Sequence, residues 1–158
     1  IGSAAQTTAT RLETGPGNTF CAIMQASSVA CWGANTHREA GVDPAADAVL
    51  PTTVLTGPDG PPLVGVIDIS DHFATTCART ANLDVLCWGL MVDSAYPTSL
   101  KDANGIVVSG VGLPLAGSEY GFSYVDADGV INVASRATGS SVTRALAPLP
   151  SQPPCADP

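Results

Sequence analysis

Lysine occurs once in this 158-residue chain, at Lys101, and Lys plus Arg number 6 against 14 acidic residues, giving a formal net charge of −8. Nucleic-acid affinity comes mainly from Lys and Arg releasing counterions from the phosphate backbone. A surface this poor in cations therefore argues against nucleic acid, and equally against anionic membranes, as partners. Aromatic residues are also scarce, 5% against 45% hydrophobic, so the core is built from small aliphatic side chains in thin, closely approaching layers. Long apolar runs are missing. The nearest, from Gly105 to Gly117, is broken by Gly, Ser and Pro and is too short to span a bilayer, so no direct membrane insertion is expected. There is no Asn-x-Ser/Thr acceptor for a glycan, no Gly-x-Ser-x-Gly elbow, no phosphate-cradling loop and no Cys-x-x-Cys. The chain starts at Ile1 without a charged and apolar leader, as a processed product or a fragment would.

What the chain does have is punctuation and repetition. Gly 16 and Pro 13 imply frequent turns and no long helices. Phe20-Cys21-Ala22 … Cys31-Trp32-Gly33 recurs as Thr76-Cys77-Ala78 … Cys87-Trp88-Gly89, with every matched position displaced by 56. A third, degraded copy aligns Thr14-Gly15 … Phe20-Cys21 with Ala116-Gly117 … Phe122-Ser123 and has no cysteine. Repeats of this length are the signature of solenoids and propellers, and the three units start near residues 12, 68 and 114.

Each unit reads as a β-hairpin. In the third, 122–125 and 130–133 flank Asp126-Ala127-Asp128-Gly129, where Gly supplies the positive φ of a tight turn. The other turns fall around Ala26-Ser27-Ser28 and Asn82-Leu83-Asp84. Loops are expected over Asn35–Pro62 and Asp93–Asn104, followed by apolar strands at Leu63–Ile67 and Ile106–Val108. The rhythm of strand, hairpin and loop is that of propeller blades. The expected fold is therefore all-β: a three-repeat, propeller-like domain over 1–146 and a Pro-rich tail over 147–158.

With Leu63–Ile69, Asp71-His72-Phe73, Thr76-Cys77-Ala78 and Cys87-Trp88-Gly89, the second unit resembles the regulator-of-chromosome-condensation type of propeller repeat. The cysteine-bearing version is similar to extracellular members, such as Crinkly-type plant receptor ectodomains and a propeller-type β-lactamase inhibitor. Family propellers usually have about seven blades. Three would form an open arc with exposed edges, completed by other blades, docked on a partner or packed in another arrangement. The family's activities are diverse, so the resemblance implies a fold more than a function.

Cys21 and Cys31 lie at equal distances from their hairpin turn, as do Cys77 and Cys87 from theirs. Cross-strand partners face one another closely enough for a disulfide after modest adjustment. Bridges Cys21–Cys31 and Cys77–Cys87 point to an oxidising compartment; the alternatives are buried free thiols in a cytosolic protein or, with less support, zinc ligation. Cys155, in the Pro-rich tail, is left over and suits an intermolecular disulfide, with a free thiol as the plain alternative.

Candidate chemistry is thin. Asp126-x-Asp128-Gly129 has the start of a calcium loop without its remaining ligands, and a turn explains it. Asp68, Ser70, Asp71 and His72 hold the residue types of a hydrolase, but a triad is assembled from separated segments, and the resembling repeats carry a structural His at this place. His37-Arg38-Glu39 reads as a solvated polar cluster. Trp32 and Trp88, at equivalent repeat positions, read as inter-blade packing residues rather than ligand platforms. No catalytic, cofactor-binding or metal residues are assigned, and no cofactor is implied. The expected role is a non-enzymatic extracellular or cell-surface module that binds a protein partner or other copies of the chain, with a receptor ectodomain or secreted inhibitor as the alternative.

Overall fold

The computed structural model describes residues 8–102, 104–112, 114–118, 121–134 and 144–145. Three four-stranded antiparallel sheets follow one another along the chain. The first comprises β1 (Ala9–Thr14), β2 (Thr19–Met24), β3 (Val29–Asn35) and β4 (Ala46–Thr53). The second comprises β5 (Val66–His72), β6 (Thr75–Thr80), β7 (Val85–Gly89) and β8 (Ser94–Ser99). The third comprises β9 (Ala116–Ser118), β10 (Gly121–Val125), β11 (Ile131–Ala134) and β12 (Arg144–Ala145). Each sheet is a meander whose strands pair in sequence order. The protein is thus all-β, with three propeller-type blades.

The 56-residue period is conformational as well as chemical. Asn18 and Ala74 share a positive φ, as do Ser27 and Leu83 at the hairpin tips and Gly33 and Gly89 after the tryptophans. The last pair explains the Gly of Cys-Trp-Gly. At φ +99°, Gly89 lies where a Cβ would run into the carbonyl oxygen of Ala74, and Gly33 has the same relation to Asn18. A side chain there meets both left-handed strain and a backbone collision.

Strand alternation gives every sheet two unlike faces. In the second sheet Ile69, Ala78 and Leu86 are register partners, as are Asp71, Thr76 and Trp88; this face looks toward the first sheet. Cys77 and Cys87, with Val85, are on the opposite face and pack with Phe122, Tyr124 and Ala134 of the third sheet. The first seam repeats the scheme: Cys21, Cys31, Ile23 and Val29 join Ile69, Ala78 and Trp88 in one buried cluster. A disulfide-bearing face therefore meets an aromatic or aliphatic face at both seams.

Three expectations need correction. The segments read as loops each contain an outer strand, β4 within 35–62 and β8 within 93–104. β4 is exposed along almost its whole length, so it lacks the apolar alternation that marks a half-buried strand. The apolar stretch 63–67 is only partly strand, because Gly65 turns the chain at φ +74° before β5 begins at Val66. Residues 106–108 contribute a single bridge, Val107 to Lys101, and the inner strand of the third sheet is β9.

Candidate interaction surface

The cysteines lie at the middle of the hairpins. Cys21 pairs with Cys31 and Cys77 with Cys87 in the strand register; each pair forms a disulfide with Cα atoms 4.1 Å apart. Cys155 and the Pro-rich tail lie outside the described residues. Trp88 is completely buried, and its indole Nε1–H donates to the Glu39 carbonyl oxygen at 2.9 Å, which also accepts from the Thr76 hydroxyl at 2.8 Å. Trp32 stacks on Phe20 of its own sheet, ring centroids 5.9 Å apart and planes 11° apart, and stays partly exposed. Glu39, expected in a solvated cluster, is 1% exposed. Its carboxylate accepts from the His37 amide, and its carbonyl supplies the seam.

The Asp68, Ser70, Asp71, His72 group sits on β5, where β1 and β9 pack against it. All four residues are buried. Asp68 is held at 2.5 Å by Arg11 Nη1, accepts from the Leu115 amide at 2.6 Å, and lies 3.9 Å from Arg79 Nε. It therefore ties all three units together at the inner strands. Arg79 in turn donates to the Val111 carbonyl. Asp71 accepts from the Thr76 hydroxyl at 3.3 Å. Burial pushes its carboxyl up to about 7, against the pull of hydrogen bonds from Thr76 and the His72 and Gly15 amides, while the Glu39 charge adds to the rise. The cluster is buried, and Asp68 is its bracing member.

Asp126 organises its turn. Its carboxylate accepts from the amides of Asp128 and Val130 and from the Asn132 side chain, at 2.9–3.0 Å. These bonds, Val130's foremost, hold its carboxyl below the ordinary value. Asp102 does the same for the amides of Asn104 and Ile106. No group of three or more potential metal ligands occurs among the described residues, nor any helix long and apolar enough to cross a membrane.

The surface that sequence reading missed is made by the connectors between blades. Residues 54–65 and, in the second sheet, 100–102 and 104–111 close over the hairpin end of their sheets with matching hydrogen bonds. Val54 and Leu100 donate to Val29 and Val85; Leu63 and Val108 donate back to Val54 and Leu100. Val66 and Val111 donate to the hairpin tips at Ser27 and Leu83. This anchoring buries Val54, Leu63, Leu100 and Val108 and turns their neighbours outward. Val64 and Ile106 are 59% and 64% exposed, with Ile67 and Val107 about half exposed. The bond from the Ala81 amide to the Gly65 carbonyl joins this end of the first connector to the second hairpin tip. These exposed apolar side chains, held on a fixed frame, are the candidate contact positions.

Solved propeller structures are similar in overall fold. Human WBSCR16 superposes with a TM-score of 0.69 at 15% identity, over 92% of this chain and 39% of its own. Prp20p from Saccharomyces cerevisiae, described with its binding properties to Gsp1p and histones, gives 0.65 at 14% identity over 95% and 41%. Yeast RCC1 (Prp20) in its structure bound to Kap60 gives 0.67 at 14%, over 95% and 40%. No family model matches the chain, and no curated protein is similar to it in sequence. At these identities the likeness shows the fold alone, that of a β-propeller. The chain spans about two fifths of the length of the solved structures it matches.

Proposed function

We propose that this chain is a non-enzymatic, extracellular protein-interaction module, an arc of a larger propeller that engages a protein partner through its connector face. The observation that carries the reading is the exposed Val64, Ile106 and Val107 on two equivalently anchored connectors, with Ile67 exposed beside them at the start of β5. The disulfides at Cys21–Cys31 and Cys77–Cys87 support an oxidising compartment, where such bonds persist. The absence of enzymatic activity is supported by the burial of the Asp68–His72 cluster, whose Asp68 is engaged in bracing the blades. The net charge of −8 favours a protein partner over nucleic acid.

The test is site-specific photocrosslinking in the extracellular fraction of the source. A photoreactive side chain at Val64 or Ile106 captures a discrete protein, and one at Asp47 on outer strand β4 does not. Equal capture at all three positions, or none at any, contradicts the connector face as the binding surface.

A further inference from the structure

Charge is unevenly placed along the blades. At the hairpin end, the first connector turn holds Asp59, the second hairpin tip Asp84, the second connector turn Asp102, and the third hairpin tip Asp126 and Asp128. All five are exposed or half-exposed. The elements that carry them touch: the Ala81 amide donates to the Gly65 carbonyl, the Val111 amide to the Leu83 carbonyl, and a Cβ on Gly110 would lie 3.2 Å from that of Ala127. Against these acids the described turns and connectors of this end set Lys101. Arg11 and Arg79 are matched by buried Asp68, with Glu13 beside Arg11. Arg38 is taken up by Asp43 and Asp93 in the loops at the opposite end. Asp102 and Asp126 accept main-chain amides, foremost those of Ile106 and Val130, which hold both carboxyls below the ordinary value and keep them charged. The carboxylates stand among the exposed aliphatic side chains; Asp102 binds the amide of Ile106 itself.

Resting on the connector face as the binding surface, we propose that its partner is a protein segment that sets Lys or Arg side chains around aliphatic anchors. Val64, Ile67, Ile106 and Val107 bury against the anchors. Asp59, Asp84, Asp102, Asp126 and Asp128 face the cations at the rim, where interfaces are polar. Opposite potentials on the two surfaces steer the encounter and reject wrong partners. The same carboxylates repel phosphate-bearing and acidic ligands. They repel a second copy of this chain as well, since both copies carry a net charge of −8.

The test titrates the full ¹⁵N-labelled chain at low salt with three synthetic peptides of equal length: an amphipathic Lys/Leu peptide, its Glu/Leu counterpart and a Lys/Ser peptide. The Lys/Leu peptide shifts the amides of Val64, Ile106 and Val107 and leaves those of Val49 and Leu50 on β4 in place. The Lys/Ser peptide binds about ten-fold more weakly, for want of aliphatic anchors, and the Glu/Leu peptide does not bind. Asp59→Asn/Asp84→Asn/Asp128→Asn weakens the Lys/Leu peptide about ten-fold, the scale of three exposed ion pairs. These carboxylates accept no hydrogen bond among the described residues, so the turns stay intact. The matching Glu triple keeps the affinity. Asp43→Asn/Asp47→Asn/Asp93→Asn removes the same charge at the opposite end and changes affinity by less than about two-fold, because distant charges are screened. Equal weakening by the two Asn triples assigns the attraction to net charge and overturns the proposal. So does equal loss in the Asn and Glu triples, equal binding of the Glu/Leu or Lys/Ser peptide, or no shift at the connector amides with any peptide. A doubled mass without peptide, with the connector amides protected, assigns the face to a second copy and also overturns it. Photocrosslinking separates this failure from that of the underlying reading. Capture at Val64 or Ile106 of a protein whose cross-linked peptide is acidic or uncharged keeps the connector face and overturns the cationic partner; no capture at either position removes both.

Discussion

The indole of Trp88 and the hydroxyl of Thr76, on adjacent strands of one blade, donate to a single oxygen, the carbonyl of Glu39 in the preceding blade. The seam is held by a main-chain acceptor, which any residue at position 39 supplies, and by an aromatic donor, which only tryptophan supplies with that bulk. Trp88→Ala removes a fully buried ring and strands the acceptor. It is expected to cost about 3–5 kcal/mol, read as a shift in the urea midpoint. Trp32→Ala, at the open face, is expected to cost about 1 kcal/mol or less. Equal losses would contradict the seam's asymmetry.

Gly89→Ala is expected to destabilise by about 1–3 kcal/mol, because the new Cβ meets the Ala74 carbonyl at a left-handed φ. Gly33→Ala behaves similarly. Gly57→Ala serves as control, since a Cβ there meets nothing within 4 Å. Thermal unfolding of the three variants ranks them.

The double variant Cys77→Ala/Cys87→Ala releases a cross-link between residues ten apart in sequence. Chain-entropy reasoning for so short a loop gives a loss of about 2–3 kcal/mol. The denaturant midpoint of the double variant, compared with that of the oxidised chain, checks this. Reduction of the native chain should lower the midpoint in the same direction.

Asp71 makes stability depend on pH in a stated direction. Its folded pKa of about 7 lies above the ordinary carboxyl value of 3.8, so between those values the folded state binds more protons than the unfolded one. Stability therefore falls as pH rises from about 4 to 7, and the contribution levels off above that. The full effect is on the order of 4 kcal/mol at most. Asp71→Asn should flatten this slope in urea titrations and should help most at pH 8. An Asn variant with an unchanged slope would locate the titration elsewhere.

The repeat, the hairpins and the disulfide positions were legible because they depend on local rules: a Gly or Asp at a turn, and residues equidistant from it facing one another. Outer strands β4 and β8 were not legible. Ala46–Thr53 lies on the rim and buries almost nothing, so no hydrophobic period announces it. Glu39 was misread because a charged residue in a polar run looks solvated, whereas tertiary packing uses its backbone and encloses its side chain. The connector face was hidden for a related reason: Val64, Ile106 and Val107 look like core residues in sequence. Only the hydrogen bonds of their neighbours show that these three point outward.

The most direct test of an extracellular, disulfide-stapled module is non-reducing peptide mapping of the natural protein, with free thiols alkylated before any handling. The account predicts bridged peptides containing Cys21 with Cys31 and Cys77 with Cys87, and no alkylation at these four positions. Full alkylation of all four would contradict the oxidising compartment, and the extracellular role with it.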